Sequence, residues 1–181
     1  MEPSTEQPGA RSGPSAAHRE TGAQVAGLAA FLAASAMVAW LGTLATVNNV
    51  NGWYVSADKA PWTPPNWVFG PVWTALYIAM AIAAWLVWRR GTGITGRPLK
   101  LYWAQLALNL AWTPLFFGLY PVLGSLALWL ALAVIVALAI ALAFTVMNFG
   151  PVSPAAGILL LPYLSWVIFA GTLNIWAAIN N

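Results

Sequence analysis

The stretch Leu123–Met147, LGSLALWLALAVIVALAIALAFTVM, decides the fold class. It contains no charged residue, histidine or amide, and Ser125 and Thr145 are its only hydroxyls. A helix of this sequence is apolar all round, so it has no face to offer water. It is longer than the ~20 residues that carry a helix across the hydrocarbon core. A barrel strand would need ~10 residues in strict polar–apolar alternation, and no such alternation is present. Lipid is therefore the solvent this segment demands.

Four further apolar runs surround it, at about 25–47, 67–88, 99–119 and 155–179. The first is too long for a secretory hydrophobic region and more spans follow it, which predicts an uncleaved helix. The third and fourth are parted only by Gly118–Pro121, a gap that suits a helical hairpin. The reading is an all-α integral membrane protein, a bundle of five transmembrane helices. The composition agrees. Of 181 residues, 61% are hydrophobic and 6% charged, against about 25% charged in soluble domains. A soluble fold could not cover such a chain. One domain is expected, from about residue 24 to residue 181. Residues 1–23, rich in Pro, Gly, Ser and Glu with no apolar period, are expected to form a disordered tail.

Several chemistries are excluded. Without cysteine there is no disulfide, thiolate metal site or thiol nucleophile. His18 is the one histidine and lies in the tail, so no histidine can ligate a metal or a haem iron within the bundle. No P-loop, dinucleotide fingerprint or Ser-His-Asp set can be assembled. No segment carries a basic stripe, so nucleic acid is not an expected partner. No acid, base or histidine falls in the apolar interior of a span, which argues against ion-coupled transport. The cations sort by side. Arg11, Arg19, Arg89, Arg90, Arg97 and Lys100 belong to one side, and Lys59 alone to the other. The positive-inside rule then puts the N-terminus in the cytoplasm, with the first loop and the C-terminus opposite.

Tryptophan is the outlier, with 12 copies. The segment from Trp53 to Tyr77 gathers Trp53, Trp62, Trp67 and Trp73 with Tyr54, among Pro61, Pro64, Pro65 and Pro71. The prolines fix φ and remove donors, so plain helix cannot begin until about Val68. A stiff aromatic loop at a bundle mouth can serve as a lid; an interfacial aromatic belt is the alternative for Trp62 and Trp67. Three spans each carry an aromatic face at helical spacing. The second has Trp73, Tyr77, Met80 and Ala84. The third has Gln105, Asn109, Trp112 and Phe116. The fifth has Tyr163, Trp166, Ala170 and Asn174. The amides either bond neighbouring helices or contact a ligand. Together these faces suit a flat, largely apolar, polarisable ligand. The first and fourth spans, mostly Ala, Leu and Val, look like packing and lipid-facing helices. Ala104, Ala107 and Ala111 allow close approach, either inside the bundle or to a second copy across the third helix.

Three segments resemble one family in order and position: WYVSADKAPWTPPNWVFGPVWTALYIAM (53–80), QLALNLAWTPLFF (105–117) and LLLPYLSWVIFAGTLN (159–174). The resemblance is to the TspO/MBR family of tryptophan-rich sensory and translocator proteins, which includes the peripheral benzodiazepine receptor. It runs from about residue 26 to residue 174. It implies a five-helix bundle, often dimeric, that binds tetrapyrroles such as protoporphyrin IX and haem in a cavity under the first loop. A tetrapyrrole would be a ligand, and no cofactor is implied. The alternatives are light-dependent porphyrin degradation, with Trp73 and Trp166 as the reacting pair, and translocation of porphyrin or another amphiphile. The implied ligand-binding set is Tyr54, Pro65, Trp73, Tyr77, Gln105, Asn109, Trp112, Phe116, Trp166 and Ala170. Lys59-Ala60 stands where the family has Lys-Pro. Ile175 and Ile179 replace the Tyr and Arg of the proposed sterol motif of animal members. That replacement implies weak sterol binding and a bacterial source.

Overall fold

The computed structural model describes residues 20–181. Most of the expected disordered tail, with Arg11, His18 and Arg19, lies outside the described residues. Its last residues do not: the first helix begins at Thr21, ahead of the expected start. In order, the chain forms α1 (Thr21–Val50), a short α2 (Trp53–Ser56), α3 (Asn66–Trp88), α4 (Arg97–Thr113), a π-helical turn (Pro114–Gly118), a short α5 (Tyr120–Leu123), α6 (Ser125–Phe149) and α7 (Pro154–Asn180). No strand occurs among the described residues.

Among the described residues four helices, α1, α3, α6 and α7, are long and apolar enough to cross a membrane. Large apolar side chains stand exposed along their outer faces, among them Met37, Trp40, Ile78, Val136, Ile140, Phe144, Ile158 and Ile168. In lipid these are solvated positions, not defects. The third expected span is built differently. Helix α4 has 17 residues, opens on Arg97 and Lys100, and gains length only through the π turn. Pro114 causes the change, because it has no N–H for the carbonyl four residues back. The Leu119 N–H then reaches the Pro114 carbonyl at 2.9 Å, one residue beyond α-helical spacing. The expected simple hairpin at 118–121 is therefore a π turn, the single turn α5 and a reversal at Gly124. That glycine has φ +58°, a region side chains disfavour.

The long helices close into a ring. Helix α1 packs on α3, α3 on α7, α7 on α6, α6 on α4, and α4 back on α1. Alanines at 81, 83 and 84 of α3 are fully buried and permit the close packing. Gly27 of α1 does the same for Trp88, whose ring occupies the space a Cβ would fill. At this end of the ring Phe31, Tyr102 and Trp103 interlock, and the Ser35 and Tyr102 hydroxyls pair at 3.2 Å. The core is continuous here. At the opposite end, toward the 51–65 loop, the ring is hollow.

Candidate functional site

The hollow is a cavity of about 520 Å³, within the range of roughly 300–1,000 Å³ usual for small-molecule sites. Four walls surround it. From α3 come Phe69, Trp73, Thr74 and Tyr77; from α4 and the π turn come Asn109, Trp112, Phe116 and Phe117; from α7 come Trp166, Ala170, Leu173 and Asn174. The fourth wall is α1, with Ala39, Gly42, Thr43, Thr46, Val47 and Val50. Tyr54 of the loop helix α2 lines the loop end, and among the described residues no charged side chain lines the space.

Of the residues expected from sequence, the cavity brings together Tyr54, Trp73, Tyr77, Asn109, Trp112, Phe116, Trp166 and Ala170. Two lie apart. Pro65 is the residue before α3 and does not face the cavity. Gln105 is completely buried one turn below Asn109, where its Nε2 donates to the Met80 sulfur at 3.6 Å. The first span is not the packing helix expected of it. Ala39, Gly42, Thr43, Thr46 and Val50 fall at offsets of 3, 4, 7 and 11 residues, one helical face. The run GTLAT (42–46) was the signal, small and hydroxyl residues in an otherwise Ala/Leu helix. The fourth span, α6, contributes no lining residue.

The amides connect helices. The Tyr77 hydroxyl donates to Asn109 Oδ1 at 2.6 Å, and Asn109 Nδ2 donates to the Tyr163 hydroxyl at 2.7 Å. One amide therefore joins α3, α4 and α7 at the cavity floor. Above it, Trp112 Nε1 donates to Asn174 Oδ1 at 3.0 Å, and Asn174 Nδ2 donates to the Leu128 carbonyl at 3.0 Å. This second relay joins α4, α7 and α6. The interhelical role weighed for these groups is therefore filled, and the polar chain still borders the cavity. Among the described residues, two buried side-chain polar atoms have no partner: the Trp166 indole N–H and Gln105 Oε1.

The loop is held at both ends. Trp53 stacks on Tyr120 with ring centroids 3.8 Å apart, and its N–H donates to the Phe117 carbonyl at 3.0 Å. This seats Tyr54 edge-on against Phe116 and Phe117. Burial raises the Tyr54 phenol above its usual pKa, so it stays neutral at physiological pH. At the other end, the Asn181 side chain accepts from the Asp58 N–H at 2.8 Å and donates to the Asp58 carbonyl at 3.1 Å. Trp176 Nε1 donates to the Asp58 carboxylate at 3.3 Å, and Trp62 packs edge-on against Trp176. Trp62 also donates to the Thr172 hydroxyl at 3.2 Å. The loop is thereby fastened over α7. Trp62 thus belongs to the loop fastening as well as to the exposed rim, while Trp67 is 76% exposed and faces outward. Among the described residues no group of three or more His, Asp or Glu could hold a metal.

Comparison with known proteins gives a consistent neighbourhood. The model of the TspO/MBR family matches residues 30–179. The chain is 46% identical over 125 residues to the translocator protein of Homo sapiens, covering 67% of this chain and 70% of that one. It is 38% identical over 147 residues to the tryptophan-rich protein TspO of Archaeoglobus fulgidus, covering 81% and 92%. It is also 38% identical over 144 residues to the tryptophan-rich sensory protein of Cereibacter sphaeroides, covering 80% and 84%.

Proposed function

The chain belongs to the TspO/MBR family of membrane proteins, and from that membership we propose that it is a membrane receptor for tetrapyrroles of the protoporphyrin IX or haem type. The observation that carries the reading is the uncharged aromatic cavity. Trp73, Trp112, Trp166, Phe69 and Phe116 supply flat polarisable surface, and Tyr77 and Asn109 supply a few polar atoms at one end. Stacking gives a flat pigment its affinity, and the amide–phenol chain gives it orientation. Ala170, 7% exposed, keeps the α7 wall flat beside Trp166.

Five crossings follow if α4 and its π turn span together. The cationic connection, with Arg89, Arg90, Arg97 and Lys100, then faces the cytoplasm, and the cavity mouth faces away. A second copy is the proposed neighbour of α4, whose Ala104, Ala107 and Ala111 all point outward.

The test is a titration of purified protein with protoporphyrin IX, in darkness and in light. Saturable quenching of tryptophan emission is expected in darkness, with a several-fold weaker affinity for Ala170→Leu, which fills the cavity beside Trp166. Absence of quenching at micromolar pigment would overturn the receptor reading. The second reading is light-driven pigment degradation, favoured by the presence of both Trp73 and Trp166 in one cavity. A new absorbing product in light, lost in Trp73→Phe or Trp166→Phe, would establish it.

A further inference from the structure

The cavity carries no charge, yet one cation stands at its mouth. The Lys59 ammonium lies 4.9 Å from the centroid of the Tyr54 ring, and Tyr54 itself lines the cavity. The other polar contact of Lys59 is a long one, 3.5 Å to the Val55 carbonyl, and the residue forms no ion pair among the described residues. Its neighbour is differently placed. Asp58 is engaged through its N–H, its carbonyl and its carboxylate by Asn181 and Trp176. On the other side Ala60 is buried, 5% exposed. The backbone of Lys59 is thus fixed between two anchored residues, with the ammonium over the rim and no anion to satisfy it. A cation with no anionic partner among the described residues, held beside an apolar cavity, is the complement of an apolar ligand with an anionic edge.

Building on the receptor reading, we propose that Lys59 reads a carboxylate of the ligand at the cavity mouth, so that the site selects pigments bearing free acid groups over their neutral esters. Asp58, Asn181 and Trp176 act as positioning residues for that lysine. The contact is half-exposed, so a modest effect is expected, about two- to fivefold in affinity, shrinking as salt rises.

The experiment compares protoporphyrin IX with its dimethyl ester by tryptophan quenching, in non-ionic detergent and darkness, for wild type, Lys59→Gln and Lys59→Arg. The ratio of acid to ester affinity is expected to fall about two- to fivefold in Lys59→Gln and to be kept in Lys59→Arg. The ester affinity should be unchanged in all three, which also shows that the cavity remains folded. An acid-to-ester ratio in Lys59→Gln equal to that of wild type overturns the role of Lys59 and leaves the receptor reading standing. Wild type that binds neither pigment removes both.

Discussion

Trp112 and Trp166 are both indoles on the cavity wall, and their N–H groups differ. The first donates to Asn174; the second is buried without an acceptor. Replacing each by Phe separates the two situations. Trp112→Phe breaks a relay between α4, α7 and α6, and should cost about 0.6–1.7 kcal/mol, the range of interhelical hydrogen bonds in membrane bundles. Trp166→Phe removes a donor that has no partner, so the unliganded protein should melt at the same temperature or higher. Thermal denaturation in one detergent, followed by helical circular dichroism, would distinguish them; a lower midpoint for Trp166→Phe than for Trp112→Phe contradicts this account. The difference was not legible in the sequence. Helical spacing put Trp112 and Trp166 on their respective faces, but which indole finds an acceptor depends on the rotation of a neighbouring helix. Gln105 and Asn109 teach the same lesson. One helical turn separates them, yet Asn109 borders the cavity and Gln105 is sealed below it.

Among the elements, α6 was read most directly from sequence, because an all-round apolar segment leaves no alternative to a membrane helix. Its start differed by two residues from the expected one, and the cause is Gly124, whose positive φ turns the chain there. Gly124→Ala should destabilise the protein by about 1–3 kcal/mol, the cost of forcing a side chain into a sparsely populated region. No neighbour lies within 4 Å of the added methyl, so the loss would be backbone strain alone. Gly118→Ala, whose backbone is not at positive φ, is the matched control and should melt near wild type. The π turn at Pro114 was not legible as such. The sequence shows a proline in an apolar run, which is compatible with a kink, a break or a widened turn. The structure has the widened turn, and Phe116 within it packs against Trp53, Tyr54 and Trp112. The role of α1 was missed for a related reason. Its Gly42–Thr46 run looks minor beside the tryptophan faces, and only the ring closure turns it toward the cavity.

For the molecule as a whole, the membrane character followed from hydropathy, and aromatic clustering pointed to the loop end, where the cavity lies. The closed order of the ring did not, since hydropathy says nothing about neighbours. That order leaves Ala104, Ala107 and Ala111 of α4 on the outside, which removes internal packing as their role. A large side chain there should therefore disturb only the proposed association: Ala107→Phe is expected to turn the proposed dimer into a monomer that responds to protoporphyrin IX as wild type does, as read by light scattering and quenching together. A dimer that persists in this variant would point to another surface. The uneven exposure of the indoles has a further, optical consequence. Trp62, on the loop and 49% exposed, is open to an aqueous quencher such as iodide. Trp40 and Trp129, on the outer faces of α1 and α6 and 59% and 46% exposed, are open to brominated lipid. Trp73, Trp112 and Trp166 line the cavity and are less exposed than any of these. Iodide, brominated lipid and protoporphyrin IX, three chemically distinct quenchers, can thus interrogate the loop, the lipid boundary and the cavity of one unlabelled protein.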